Sequence, residues 1–172
     1  MRVVAGSLGG RRIEAPPGTD TRPTSDKVRQ AVFNALESAG LVDGATFADL
    51  FAGSGAMGIE ALSRGAAHCT FVERDRTALS VLRSNVEMLG LVAAARIVAG
   101  DVASTIGQLG HVDVAVVDPP YRFDGWADLL AVLPADLVVA ESDREVAAVA
   151  GWEVLRTRRY GRTFITWLAR IA

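Results

Sequence analysis

The sequence predicts a doubly wound α/β fold on a mostly parallel sheet, and three observations carry that expectation. From about residue 45 onward, short apolar runs alternate with helical patterns, as repeated βα units require. Runs such as VDVAVV at 112–117 suit strands covered on both faces. The chain has 172 residues, half of them hydrophobic, with a single Cys, so it can bury a core without disulfides. With only His68 and His111 beside Cys69, no cluster has zinc-ligand spacing. The N-terminus lacks the apolar core of a signal peptide and no run approaches the length of a membrane span, which predicts a cytoplasmic protein without a membrane partner.

The first 40 residues differ from the rest. Two β-like pieces, Val3 to Ala5 and Arg11 to Glu14, surround the turn-prone Ser7-Leu8-Gly9-Gly10, and the loop APPGTDTRP follows. Thr24 or Ser25 is placed to cap a helix with Asp26 in its first turn and Val28, Val32, Leu36 and Ala39 as its apolar stripe. Beyond it the predicted strands are Thr46 to Leu50, Cys69 to Glu73, Ala95 to Ala99, Val112 to Val117 and Leu137 to Ala140. Met57 to Arg64 and Arg76 to Leu89 read as helices, the second with Leu79, Leu82, Val86 and Leu89 on one stripe and Gly90 at its stop. Trp152 to Arg159 and Arg162 to Ala169 flank a Tyr160-Gly161 turn as a closing antiparallel hairpin. This organisation predicts one domain, 1–172, with a small N-terminal β-hairpin and helix extension at 1–40 and an α/β core at 41–172.

Charge is segregated along the chain. Residues 1–29 hold six cations against three acids, and 156–172 hold five Arg and no acid, while 30–155 hold seven cations against 17 acids. Basic ends on an acidic middle suggest a nucleic-acid partner.

The segment Asp49-Leu-Phe-Ala-Gly53-Ser-Gly55-Ala-Met-Gly58 leaves a strand, turns on small residues and enters a helix. Its glycines satisfy the dinucleotide fingerprint, but a carboxylate four positions ahead of Gly53 would repel a pyrophosphate. The same carboxylate suits a cation, and S-adenosylmethionine carries a sulfonium and an ammonium. Glu73 ends the next strand, where an acid can hold two ribose hydroxyls, and Asp101 follows the third, where it can accept an adenine amine or cap the next helix. Phe51, Ser54, Gly55, Arg74 and Val102 stand beside these acids and complete the candidate cofactor set.

After the fourth strand comes Asp118-Pro119-Pro120-Tyr121. Consecutive prolines fix the backbone and remove donors, leaving carbonyls to face outward. An exocyclic amine delocalised into its ring is a poor nucleophile. The Asp118 carboxylate and Pro119 carbonyl can accept its two N–H groups and aim its lone pair, while Tyr121 offers a flat surface for an unstacked base. Cys69, at a strand start, reads as a small buried hydrophobe rather than a nucleophile, and Trp126, Trp152 and Trp167 as packing residues.

These motifs resemble the class I S-adenosylmethionine-dependent methyltransferases that modify amines through a (D/N)PPY/F loop. With RVVAGSLGGRRI, RPTSDKVRQAVFNAL, DLFAGSGAMGIEALSRGA, VERD, VDPPY and the late ESD, the chain is similar over nearly its whole length to the bacterial 16S ribosomal RNA guanine-N2 methyltransferase family, RsmD. The resemblance implies a Rossmann-like sheet of seven strands and S-adenosylmethionine held by Asp49, Gly53, Glu73, Asp101 and Asp118. It implies methylation of one guanine in 16S ribosomal RNA, within the small subunit or its precursor, and sets Arg22, Pro23 and Thr24 near RNA. The candidate RNA contacts are Arg11, Arg12, Arg22, Thr24 and Arg29 at one end and Arg158, Arg159 and Arg162 at the other, in a monomeric enzyme. Three rival readings are an adenine-N6 methyltransferase, a protein glutamine methyltransferase, and a nonenzymatic RNA-binding assembly factor.

Overall fold

The structure is a computed structural model, describing residues 1–18 and 25–172. Seven strands among the described residues form one sheet: β1 (Thr46–Leu50), β2 (His68–Glu73), β3 (Ala95–Ala99), β4 (Val112–Val117), β5 (Ala135–Ser142), β6 (Trp152–Tyr160) and β7 (Thr163–Arg170). Their order is β3-β2-β1-β4-β5-β7-β6, with β1 to β5 parallel and β7 antiparallel to both β5 and β6. The order reverses at β1 and β4, so their carboxyl ends part and open the crevice in which such sheets bind ligands.

Helices cover both faces. On one lie α1 (Asp26–Ser38), α2 (Ala56–Ser63) and α3 (Arg76–Met88), and Phe33, Ile59 and Leu82 meet Phe47, Phe71, Val116 and Val139 there. On the other, α4 (Val102–Thr105) and α5 (Trp126–Val132) bring Val102, Leu129 and Leu130 onto Ala48, Ala115 and Val138. The packing of α2 on β2 is close because Gly58 lacks a side chain: a Cβ there would lie 2.3 Å from Phe71 Cε1 and 2.6 Å from Cys69 Sγ. Ser25 caps α1 by accepting from Val28 N at 3.2 Å, while Thr24 lies outside the described residues. No helix among the described residues is long and apolar enough to cross a membrane.

Several expectations change. The N-terminal β-hairpin is shorter than expected: Val3 N donates to Arg11 O and Ile13 N to Met1 O, both at 2.9 Å, around the bridge between Arg2 and Arg12, while the donors beyond them go elsewhere. Val4 N and Ala5 N donate to Glu60 at 2.8 and 3.0 Å, and Glu14 N donates to Asn85 Oδ1 at 2.9 Å. The segment is therefore bonded to α2 and α3 as much as to itself, and Val3 and Ile13 sit in the main core. Ala39 caps α1 at the C-terminus and is exposed, so the apolar stripe ends at Leu36. The fifth strand extends beyond Leu137–Ala140 at both ends, as antiparallel pairing with β7 reaches Ser142 opposite Phe164. Helix α5 has too few turns to leave a readable period. All three Trp residues are buried, and Trp152 Nε1 donates to Leu130 O at 2.8 Å.

Candidate active site

A cavity of about 600 Å³ opens at the carboxyl ends of the parallel strands, a volume typical of a small-molecule site. Asp49, Phe51, Gly53, Ser54, Glu73, Arg74, Asp101, Val102 and all of Asp118 to Tyr121 line it. Gly55 does not. It is instead the N-cap of α2 with φ of 82°, and a Cβ there would meet Leu82 Cδ1 at 2.4 Å, so it shapes the loop from below. Phe51 also takes positive φ, 62°, which is costly for a bulky residue and is stored strain at the cavity wall. Its ring meets Phe123 edge-on at 5.5 Å, fixing it against the chain that follows the double proline.

The acids differ in how they are held. Asp49 is 3% exposed, and its Oδ2 accepts from Gly58 N at 2.8 Å. Burial pushes its pKa up to about 7, against the lowering effect of the Gly58 bond and with a further push from the charge of Glu73. Glu73 braces the glycine loop, its Oε2 accepting from Gly53 N and its Oε1 from Arg74 N and Asp75 N, all at 2.8 Å. Asp101 caps α4 by accepting from Ala103 N at 3.0 Å, and its other oxygen takes Arg74 Nη1 at 3.2 Å. That pair is exposed, so it orients Arg74 more than it stabilises the fold. Asp118 N reaches Leu50 O at 3.4 Å, continuing the ladder beyond β4 to the cavity rim, where Tyr121 is 45% exposed.

The donor set fits S-adenosylmethionine. Three carboxylates at adjacent strand ends suit a cation and ribose hydroxyls, and one of them is buried with little compensating positive charge among the described residues. Burial holds the Cys69 thiol well above its ordinary pKa, so it is no nucleophile. Among the described residues no group of His, Cys, Asp and Glu could hold a metal.

The basic residues separate sharply. Arg29 is corrected as an RNA contact: it is 0% exposed, pairs with Asp26 at 2.8 Å and Glu60 at 3.4 Å, and donates to Arg2 O. Arg12 is exposed, as is Arg11, which reaches Met88 O at 3.4 Å. Arg22 and Thr24 lie outside the described residues. On the hairpin, Arg158 and Arg162 are exposed, while Arg159 lies 5.4 Å over Phe164 and donates to Gly161 O at 2.8 Å. Two acids stand in the quoted motifs, in GIEAL and in ESD, without a role assigned to them from the sequence. Glu60 is a lone acid in the otherwise uncharged helix AMGIEALS, which has no polar face to carry it to solvent. Glu141, the penultimate residue of β5, lines the cavity near the carboxyl end of its strand, as Glu73 does on β2.

Comparison with known proteins fits this geometry. The family model described as conserved hypothetical protein 95 matches residues 1–169. YlbH of Bacillus subtilis is 38% identical, the match spanning 95% of each chain. Ribosomal RNA small subunit methyltransferase D of Escherichia coli is 40% identical over 71% of this chain and 61% of its own. The solved structure of yhhF from Escherichia coli, described as a methyltransferase, superposes with a TM-score of 0.87 at 34% identity, covering 100% of this chain and 98% of that one.

Proposed function

The chain belongs to the RsmD family of ribosomal RNA methyltransferases, and from that premise we propose that it methylates the exocyclic N2 amine of a guanine in 16S ribosomal RNA. The substrate in this reading is the small ribosomal subunit or its precursor, met in the cytoplasm. When bound, S-adenosylmethionine supplies an electrophilic methyl group on a sulfonium. Asp49, Glu73 and Asp101, with the loop from Phe51 to Gly55 and with Arg74 and Val102, hold that cofactor. Asp118 and the Pro119 carbonyl accept the two N–H groups of the amine and keep its lone pair pointed along the line of transfer. Pro120 keeps that carbonyl from turning away. Tyr121 carries the unstacked base, a contact of about 1 to 3 kcal/mol. The proton shed by the methylated nitrogen passes to Asp118 or to water. Residues 1–40 serve as an RNA-facing extension through Arg11, Arg12, Arg22 and Thr24, and Arg158, Arg159 and Arg162 bring phosphate contacts from the hairpin of β6 and β7.

The observation that carries the reading is the double-proline loop opening into the same cavity as three strand-end carboxylates. It is tested by incubating the protein with labelled S-adenosylmethionine and small subunits lacking the modification, then digesting the RNA. The expected product is N2-methylguanosine. Methyladenosine would transfer the mechanism to another base, and absence of label despite cofactor binding would favour a binding factor.

A further inference from the structure

Glu141 is a buried carboxylate in the cavity that methyl transfer itself does not use. Across the sheet order β3-β2-β1-β4-β5, each strand end carries one acid: Asp101, Glu73, Asp49, Asp118 and Glu141. The first three belong to the cofactor half. Asp118 follows the switch between β1 and β4, and Glu141 lies on its far side from the cofactor, on β5. Val117 is paired with Ala140, so Asp118 and Glu141 leave adjacent parallel strands side by side. Side-chain alternation puts both on the sheet face that carries Val116 and Val139, and Glu141 is also paired with Ile165 of that face. Glu141 is 7% exposed, so a partner lost there is not replaced by free solvent.

The chemistry of the base edge matches two adjacent acceptors. Guanine presents its N2 amine and, next to it, N1–H, both donors. Adenine presents its N6 amine beside N1, which bears a lone pair. With the amine on Asp118, a second carboxylate beside it accepts N1–H from guanine and repels N1 of adenine. We propose that Glu141 is the specificity-determining residue that reads guanine N1–H. The inference rests on the guanine-N2 reading above and adds the group that makes guanine, not adenine, the base accepted. Glu141 and Asp118 each take part in other interactions, and a carboxylate offers about four acceptor directions, which leaves room for both.

The test pairs a variant with an altered base. Once the methylated position is mapped with the wild type, subunits are reconstituted from ligated RNA carrying either guanine or 2-aminopurine there. 2-Aminopurine keeps the C2 amine and lacks N1–H. Single-turnover methylation and cofactor affinity are then measured for wild type, Glu141→Ala and Glu141→Gln. The wild type is expected to prefer guanine by roughly 10- to 100-fold. Glu141→Ala is expected to lose most of that preference by slowing on guanine alone, with cofactor affinity unchanged. Glu141→Gln, whose amide oxygen still accepts, is expected to restore much of it. If Glu141→Ala slows both bases equally and keeps the wild-type ratio, the residue is structural and the inference is overturned. A wild type that methylates no guanine instead refutes the reading of function, a result visible before any variant is made.

Discussion

Asp49 and Glu60 are both buried carboxylates, one at the end of β1 and one in the helix that follows it, yet the chain treats them oppositely. Glu60 accepts from Val4 N, Ala5 N, Arg29 Nε and Arg64 Nε, so its charge is met by two guanidinium groups and two backbone donors. Asp49 accepts from Gly58 N, lies near a second acid, Glu73, and is pushed up to about pKa 7. Burial is common to both, and compensation divides them. Glu60 ties the N-terminal segment, α1 and α2 into one body. Asp49 is left short of positive charge in a cavity, and a sulfonium or ammonium supplies what it lacks.

The largest effect expected from this contrast is at the compensated acid. Glu60→Ala removes the buried carboxylate that Arg29 and Arg64 share and leaves them only the half-exposed Asp26 and Glu37, and urea unfolding should record a loss of about 3 kcal/mol. A loss below about 1 kcal/mol would mean that the two arginines find water, and the distinction between the acids would fail. At Asp49 stability moves the other way. Its folded pKa lies above its unfolded value of 3.8, so its contribution to stability is full below about pH 4 and is lost as pH rises towards 7. Asp49→Asn is therefore expected to raise the melting temperature of the cofactor-free protein at pH 8 by roughly 5 °C while weakening cofactor binding.

The same ionisation sets a pH dependence of binding. A cationic cofactor favours the carboxylate form, so calorimetry should find the dissociation constant rising below pH 7 by up to about tenfold per pH unit, and flat in Asp49→Asn. A flat wild-type profile from pH 5.5 to 8 would remove Asp49 from the cofactor site. The smallest effects concern the arginines, which repeat the contrast with opposite sign. Arg158→Gln and Arg162→Gln are each expected to raise KM for the subunit a fewfold and to lower the salt slope by about one, whereas Arg159→Gln should do less because its side chain is occupied by Phe164 and Gly161.

The fold was legible where the chain repeats a period. β1, β3 and β4 span the residues that their apolar runs predict, and Gly90 stands directly after the last turn of α3, with φ of 71°. The candidate site was legible where chemistry is local, as in the glycine loop and the double proline. Long-range compensation was not. Arg29 sits in a basic segment that looks like an RNA surface, and nothing in its neighbourhood along the chain tells that Glu60 waits behind it on another helix. Glu141 was hidden for a similar reason, since its meaning comes from standing beside Asp118 across a strand pair. The N-terminal hairpin was overdrawn because alternation and turn residues were present, while the competing acceptors, Glu60 and Asn85, lie far away in sequence.

The central claim is that Asp118 orients an amine for methyl transfer in a pocket whose cofactor half is built from other residues. Single-turnover methylation of unmodified small subunits by Asp118→Ala, with cofactor affinity measured alongside, tests it most directly. The account predicts a rate reduced by at least about a thousandfold with the cofactor dissociation constant changed only severalfold. A variant that methylates at a rate near that of the wild type would contradict it.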